Sequence, residues 1–408
     1  MRNLNIRGIS NRLVKARIGV CGCFATAGFV VGAWAGGLPA LDERFDLGPA
    51  GLGTCLLLAA LGGLVAMPFA GGLCDRYTSK VLVGFAGPLS CLALLGPALA
   101  GTRLWLYVLA AVYGFGIGMM EIAMNANSVE LESRYGRPIV SAFHGMWSAG
   151  GALGGALMSV GLTIAVDAKY LLSAAAVVTA VSYAVSASVL LPPPERSPDS
   201  DSASRGAGRG MPGMLVVAFG VLAFASYISE GAAVDWAAVH ARRVLDVSLA
   251  NAPISYVVFG TSMTIIRFLG DPIRARIGPT RMLLISGCLA ASGYALIVAA
   301  GSVGGLALAC VGWAMSGAGL ATVVPVVFSV VGGAVDGVGK ALSLVTAFGS
   351  VGILAGPALI GYLAEATSLS TALLAPGLLA VLIAVVGPAT IRQLQGRSRA
   401  EPVSADVA

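Results

Sequence analysis

Glu121, Asn125 and His144 stand in a stretch whose other residues mostly suit lipid, GFGIGMMEIAMNANSVELESRYGRPIVSAFHGMWSAGGALGG, residues 114–155. A carboxylate at the centre of a membrane helix costs about 2.5–3.5 kcal/mol by insertion scales, so Glu121 needs a partner, water or a proton. Glu121 and Asn125 lie one helical turn apart and share a face with Gly114, Gly118 and Ser128, a face able both to approach another helix and to present polar atoms to a cavity. Two roles are open to the acid: exchanging protons, or donating a structural hydrogen bond while protonated.

Glu230 has Ser226 one turn earlier on its face. It supplies either a second proton-binding acid or half of an ion pair with Arg267 or Arg242. Asp235 stands closer to the boundary of its segment and reads as a gate or interface residue. His144 sits about 9 Å inside its segment, where it is either hydrogen-bonded structure or a proton carrier near a gate. His240 marks an interface.

The chain carries no G-x-x-x-x-G-K-[ST] loop and no nucleophile–base constellation. A gradient is therefore the expected energy source, no cofactor is expected, and the chain does not read as an enzyme. The seven cysteines all fall in or beside apolar runs, a distribution that suits small packing residues better than a disulfide framework or a metal site.

The elements that must hold these groups are membrane helices. Hydrophobic residues make up 57% of the 408 positions and charged residues 11%, the composition of a polytopic membrane protein. Twelve segments are each long enough to cross a hydrocarbon core of about 30 Å. They run over 18–41, 51–71, 81–100, 104–127, 139–164 and 170–191, then over 214–239, 252–269, 282–300, 306–331, 341–364 and 371–391. The net charge of +6 resides in short connectors, which argues for topology signals and against nucleic acid. One set of connectors holds nearly all the Lys and Arg; the other has only Arg44, Arg103, Lys169, Arg242 and Arg243. The positive-inside rule then places both termini in the cytoplasm. The basic start runs into an apolar stretch with no cleavage site after it, so the first helix reads as retained.

PPPERSPDSDSASRGAGRGMPG has almost nothing to bury and reads as a linker. The expected organisation is a cytoplasmic N-terminal segment 1–17, a six-helix half 18–191, a cytoplasmic linker 192–213, a second six-helix half 214–391 and a cytoplasmic tail 392–408. The halves show ordered weak matches near an offset of 200 residues. GGLCDRYTSKVL answers to LGDPIRARIGPTRML, setting Asp75 against Asp271; Gly116 and Gly118 answer to Gly317 and Gly319; SAGGALGGAL answers to GSVGILAGPAL.

On Gly71, Leu73, Asp75, Arg76 and Lys80 the chain resembles the major facilitator superfamily, whose signature there reads G-x-L-x-D-R-x-G-R-R. Thr78 and Ser79 depart from it at the glycine and first basic positions. The resemblance implies an all-α membrane fold of twelve transmembrane helices in two pseudo-symmetric six-helix halves, with a central site and alternating access. It also implies a cytoplasmic gate at Asp75 and Arg76, with a weaker copy at Asp271 and with His144 nearby. In that architecture Trp34, Trp147 and Trp236 fall on central helices and line a substrate cavity.

Glu121, Asn125, His144, Ser148 and Gly150 resemble more closely the fucose-permease branch. SEGAAVDWAAVHAR is similar to the seventh helix of a little-characterised bacterial subgroup of it. The likeness implies proton coupling at Glu121, with Asn125 and Ser148 in the cavity. That branch pairs the acid with one in its first helix, where this chain has Ala35, so fucose itself is not implied and Glu230 is the candidate second acid. The expected activity is proton-coupled uptake of a sugar-like polar solute across a bacterial inner membrane by a monomer whose partners are the solute, protons and the bilayer. The rival is a proton-driven exporter of amphiphilic compounds, since GSVGILAGPALIG resembles the antiporter motif of drug exporters, although it lies in the eleventh helix instead of the fifth. A non-transporting receptor is the third reading.

Overall fold

The computed structural model describes residues 11–135, 139–191, 212–333 and 338–400. Among them the secondary structure is helical, with no strand, as hydrocarbon requires of a backbone that must satisfy its own hydrogen bonds. In chain order the helices are α1 (Asn11–Phe45), α2 (Gly48–Tyr77), α3 (Ser79–Ala93), α4 (Leu95–Leu99), α5 (Arg103–Tyr135), α6 (Val140–Thr163) and α7 (Ala168–Ser188). They continue as α8 (Gly213–Arg243), α9 (Ile254–Val303), α10 (Gly305–Leu320), α11 (Val323–Gly333), α12 (Val338–Ala366), α13 (Leu369–Ala372) and α14 (Leu374–Ala400).

Nine described stretches are long and apolar enough to cross a membrane. The shorter apolar stretch Ile254–Gly270, with α6 and α12, brings the passes to twelve. Two details differ from the segments read in the sequence: the third pass breaks at Leu94 and the tenth between α10 and α11. The eighth and ninth passes, both within α9, are two helices divided at the non-helical Gly278. Most of the expected linker, residues 192–211, lies outside the described residues.

The two halves repeat one packing scheme. In the first, α1 lies on α6, α2 on α5 and α3 on α7; in the second, α8 lies on α12, α9 on α10 and α9 on α14. Glycine makes the closest of these approaches possible. A Cβ on Gly114 would stand 1.8 Å from the Ala59 carbonyl oxygen, and one on Gly28 would stand 1.8 Å from that of Trp147.

The repeat also appears in the backbone. Thr78, between α2 and α3, has φ 78° and ψ 152°, and Gly278, at the bend in α9, has φ 78° and ψ 162°. That region belongs to glycine. The offset of 200 between these two turns matches Asp75 with Ala275 and leaves Asp271 a helical turn earlier than the sequence comparison set it.

Between halves, α6 packs on α9, α2 on α12 and α1 on α8. At the end of the bundle away from the start of α1, the far end, these contacts become polar. Arg243 donates to both carboxylate oxygens of Asp42, with Nη2 at 2.9 Å from Oδ1, and Arg242 donates to Glu43. Thr54 and Tyr362 join hydroxyls at 3.0 Å. The other far-end cations are held locally: Arg44 by the carbonyls of Ala98 and Ala100, Arg103 by that of Leu47, and Lys169 by Asp167.

Candidate functional site

Four helices, α5 and α6 from the first half and α8 and α9 from the second, present polar groups to one another in the middle of the bundle. Glu230 on α8 accepts from Arg267 Nη2 at 2.9 Å, and Arg267 Nη1 donates to Ser148 Oγ on α6 at 2.5 Å. Both charged side chains are largely buried, at 16% and 14% exposure, so each neutralises the other where solvent screens little. Of the two partners the sequence allowed Glu230, Arg267 is the one used; Arg242 is held by Glu43 and Asp246. Because Arg267 also holds Ser148, this cluster bridges the halves.

Glu121 is in a different situation. It is partly buried in mid-helix on α5, and among the described residues its carboxylate has no cation and no hydrogen-bond donor. Asn125 does not fill that place: its amide nitrogen donates to the Glu121 backbone carbonyl at 2.8 Å. Across the half interface Glu121 is within electrostatic range of Tyr227 on α8. An acid so placed is held in water or by a proton.

The tryptophans divide. Trp34 is buried on α1 and packs its ring against Tyr113 at 5.2 Å. Trp147 keeps some exposure while its backbone carbonyl meets Gly28. Trp236 has no exposed surface and its indole N–H lacks a partner, so it packs inside the second half and lines no open space in this conformation.

Of the expected gate residues, Arg76 is exposed with its guanidinium over the Tyr77 ring, and His144 is exposed, edge-on to Phe24 and within electrostatic range of Arg267. The side chains of Asp75 and Asp271 lie outside the described residues. Ser79, which replaces a basic residue of the signature, donates to Glu130 Oε2 at 2.8 Å and accepts from Asn127 at 3.0 Å. The connector between α2 and α3 is thus tied to α5 without the missing arginine. The antiporter-like run of α12 is used for packing, with a Cβ on Gly361 meeting Gly53 Cα at 2.7 Å and one on Gly352 meeting the Phe224 carbonyl at 2.8 Å.

Sequence reasoning missed Tyr113, Tyr227 and Tyr256 altogether. Tyr113 and Tyr256 are 3% exposed, and all three lie within electrostatic range of the intramembrane acids. A signal existed: Tyr113 precedes Glu121 by the same spacing by which Tyr227 precedes Asp235.

The sequence profile of the Major Facilitator Superfamily matches residues 20–332. An uncharacterised transporter of Sinorhizobium fredii is 33% identical over 383 residues, covering 92% of this chain and 98% of its own. An uncharacterised MFS-type transporter of Yersinia pestis is 31% identical over 377 residues, covering 90% and 94%. Among solved structures, a D-xylose-proton symporter superposes with a TM-score of 0.72 over 92% of this chain and 97% of its own, at 16% identity. That last likeness is one of fold.

Proposed function

The chain belongs to the major facilitator superfamily, and from that premise we propose that it takes up a small polar solute of sugar-like chemistry together with protons, by alternating access. It is a multi-pass membrane protein of a bacterial transporter family. The observation that carries the proton-coupled reading is Glu121: a mid-membrane carboxylate, partly exposed, with no cation among the described residues and within electrostatic range of Tyr227 in the other half. A fixed charge would have been paired, as Glu230 is with Arg267. A group that binds and releases a proton with each conformational change must be left free to do so.

The distribution of basic residues supports a reading with both termini on the cytoplasmic side of a bacterial inner membrane and the far end outside. In this reading the contacts of Asp42 with Arg243 and of Glu43 with Arg242 close the outer gate. Asp75, Arg76 and Asp271 belong to the cytoplasmic gate, with His144 beside it. Trp34, Asn125, Trp147 and Ser148 belong to the cavity in the conformations that expose them.

The reading is tested by reconstituting the protein in vesicles loaded with a pH-sensitive dye and adding sugars, polyols and nucleosides one at a time. Proton movement into the vesicles on addition of one solute class is the expected result. Solute movement that leaves internal pH unchanged refutes coupling.

A further inference from the structure

Two helices on opposite halves each carry a tyrosine and an acid eight residues apart, Tyr113 and Glu121 on α5, Tyr227 and Asp235 on α8. Eight residues are a little over two turns, so each tyrosine shares a helical face with its acid at a separation of about 12 Å. As the fourth and seventh passes, α5 and α8 cross in opposite directions. The acid of one helix therefore stands level with the tyrosine of the other. Across the halves Glu121 is within electrostatic range of Tyr227 and Asp235 within range of Tyr113, which is also within range of Glu121 on its own helix.

Asp235 shares the features that singled out Glu121. It is partly buried within α8, and among the described residues it has no cation and no hydrogen-bond partner. The titratable groups in range of it include Cys55 on α2, Tyr113 on α5 and Tyr256 on α9. Glu230, five residues earlier on α8, is spoken for by Arg267. Tyr113 supplies an independent observation. It is 3% exposed, its ring is held against Trp34, its hydroxyl has no partner, and it lies within range of both Glu121 and Asp235. A buried hydroxyl left unpaired is costly unless a neighbouring group accepts from it in another protonation state or conformation.

We propose that Asp235 is a second proton-binding carboxylate of the central site, with Tyr113 as its positioning residue, so that each half contributes one titratable acid opposite a tyrosine of the other. This deepens the proton-coupled reading and rests on it. It gives to Asp235 the role that the sequence assigned to Glu230. The chemical class bound is the proton itself: Asp235 takes one up at the far-end level and Glu121 holds one about two turns nearer the other end.

Infrared difference spectra of the full chain in lipid, recorded across pH with protons as the only probe, read protonated carboxyl groups through their carbonyl stretch. The expected result is loss of one carboxyl component in Asp235→Asn and of a different one in Glu121→Gln. Tyr113→Phe keeps both but shifts the component that Asp235→Asn removes, because only the hydroxyl has gone. A spectrum of Asp235→Asn indistinguishable from wild type overturns the inference, while a component lost in Glu121→Gln would still uphold proton binding at that acid. Should Asp235→Asn fail to fold, Tyr113→Phe in the Glu121→Gln background reads the same component, and the absence of any shift there overturns the inference.

Discussion

Arg267 holds Glu230 at 2.9 Å while donating through its other nitrogen to Ser148 in the opposite half. Among the described acids in mid-membrane, Glu230 is the one neutralised by a cation, which sets it apart from Glu121. A paired acid stays charged through a cycle, or gives up its partner in order to change. Glu121 has no such partner among the described residues.

Removing one member of the Glu230–Arg267 pair leaves an uncompensated charge at low exposure. Glu230→Ala or Arg267→Ala alone is expected to cost about 3 kcal/mol, and the double substitution less than either. Thermal melting in detergent checks the order. A double variant that loses the sum of the two single losses would show that the pair is not coupled.

The far-end contact of Arg243 with Asp42 joins the halves and is bidentate. Charge-assisted hydrogen bonds of this kind contribute about 1.5–3 kcal/mol, so Arg243→Ala should raise the population opened at that end roughly tenfold or more. Spin labels on α1 and α8 beyond the pair would report a longer distance. Exchanging the two charges, Asp42→Arg with Arg243→Asp, should restore the short one.

Thr78 occupies a conformation that belongs to glycine, and its buried hydroxyl has no partner. Relief of backbone strain outweighs the added freedom of the unfolded chain, so Thr78→Gly should stabilise by on the order of 1 kcal/mol. A higher melting temperature is the check.

Gly114 lies where α5 meets α2 through backbone alone. Gly114→Leu must push α5, and Glu121 with it, away from α2. It is expected to cost at least about 1–3 kcal/mol and to lower folded yield in membranes. Val112→Leu, at an exposed position of the same helix, should leave yield unchanged.

Much of the fold was legible because its determinants are local. Apolar length gave the passes, and the linker composition and the repeat near 200 residues gave the division into halves. The breaks at Leu94 and between α10 and α11 fall where Pro97 and Pro325 withhold a backbone donor from Ala93 and Ala321, a mark that the reading by apolar length passed over. At the site, the placement of Glu121 and Glu230 in mid-helix followed from spacing, but their different fates did not. Glu230 and Arg267 meet only once α8 and α9 pack, and the Asn125 amide turned to its own backbone instead of to a cavity. The register of Asp75 and Asp271 depended on where two turns adopt positive φ, a property that Thr78 conceals where glycine would have shown it.

The most direct test of the account is gradient-driven accumulation against counterflow for Glu121→Gln, using the solute identified by the vesicle screen. The glutamine keeps the size of the side chain and removes its proton. Counterflow should continue at a rate comparable to wild type, whereas accumulation driven by a pH gradient should fall to the level of equilibration. Full gradient-driven accumulation by Glu121→Gln would contradict the account.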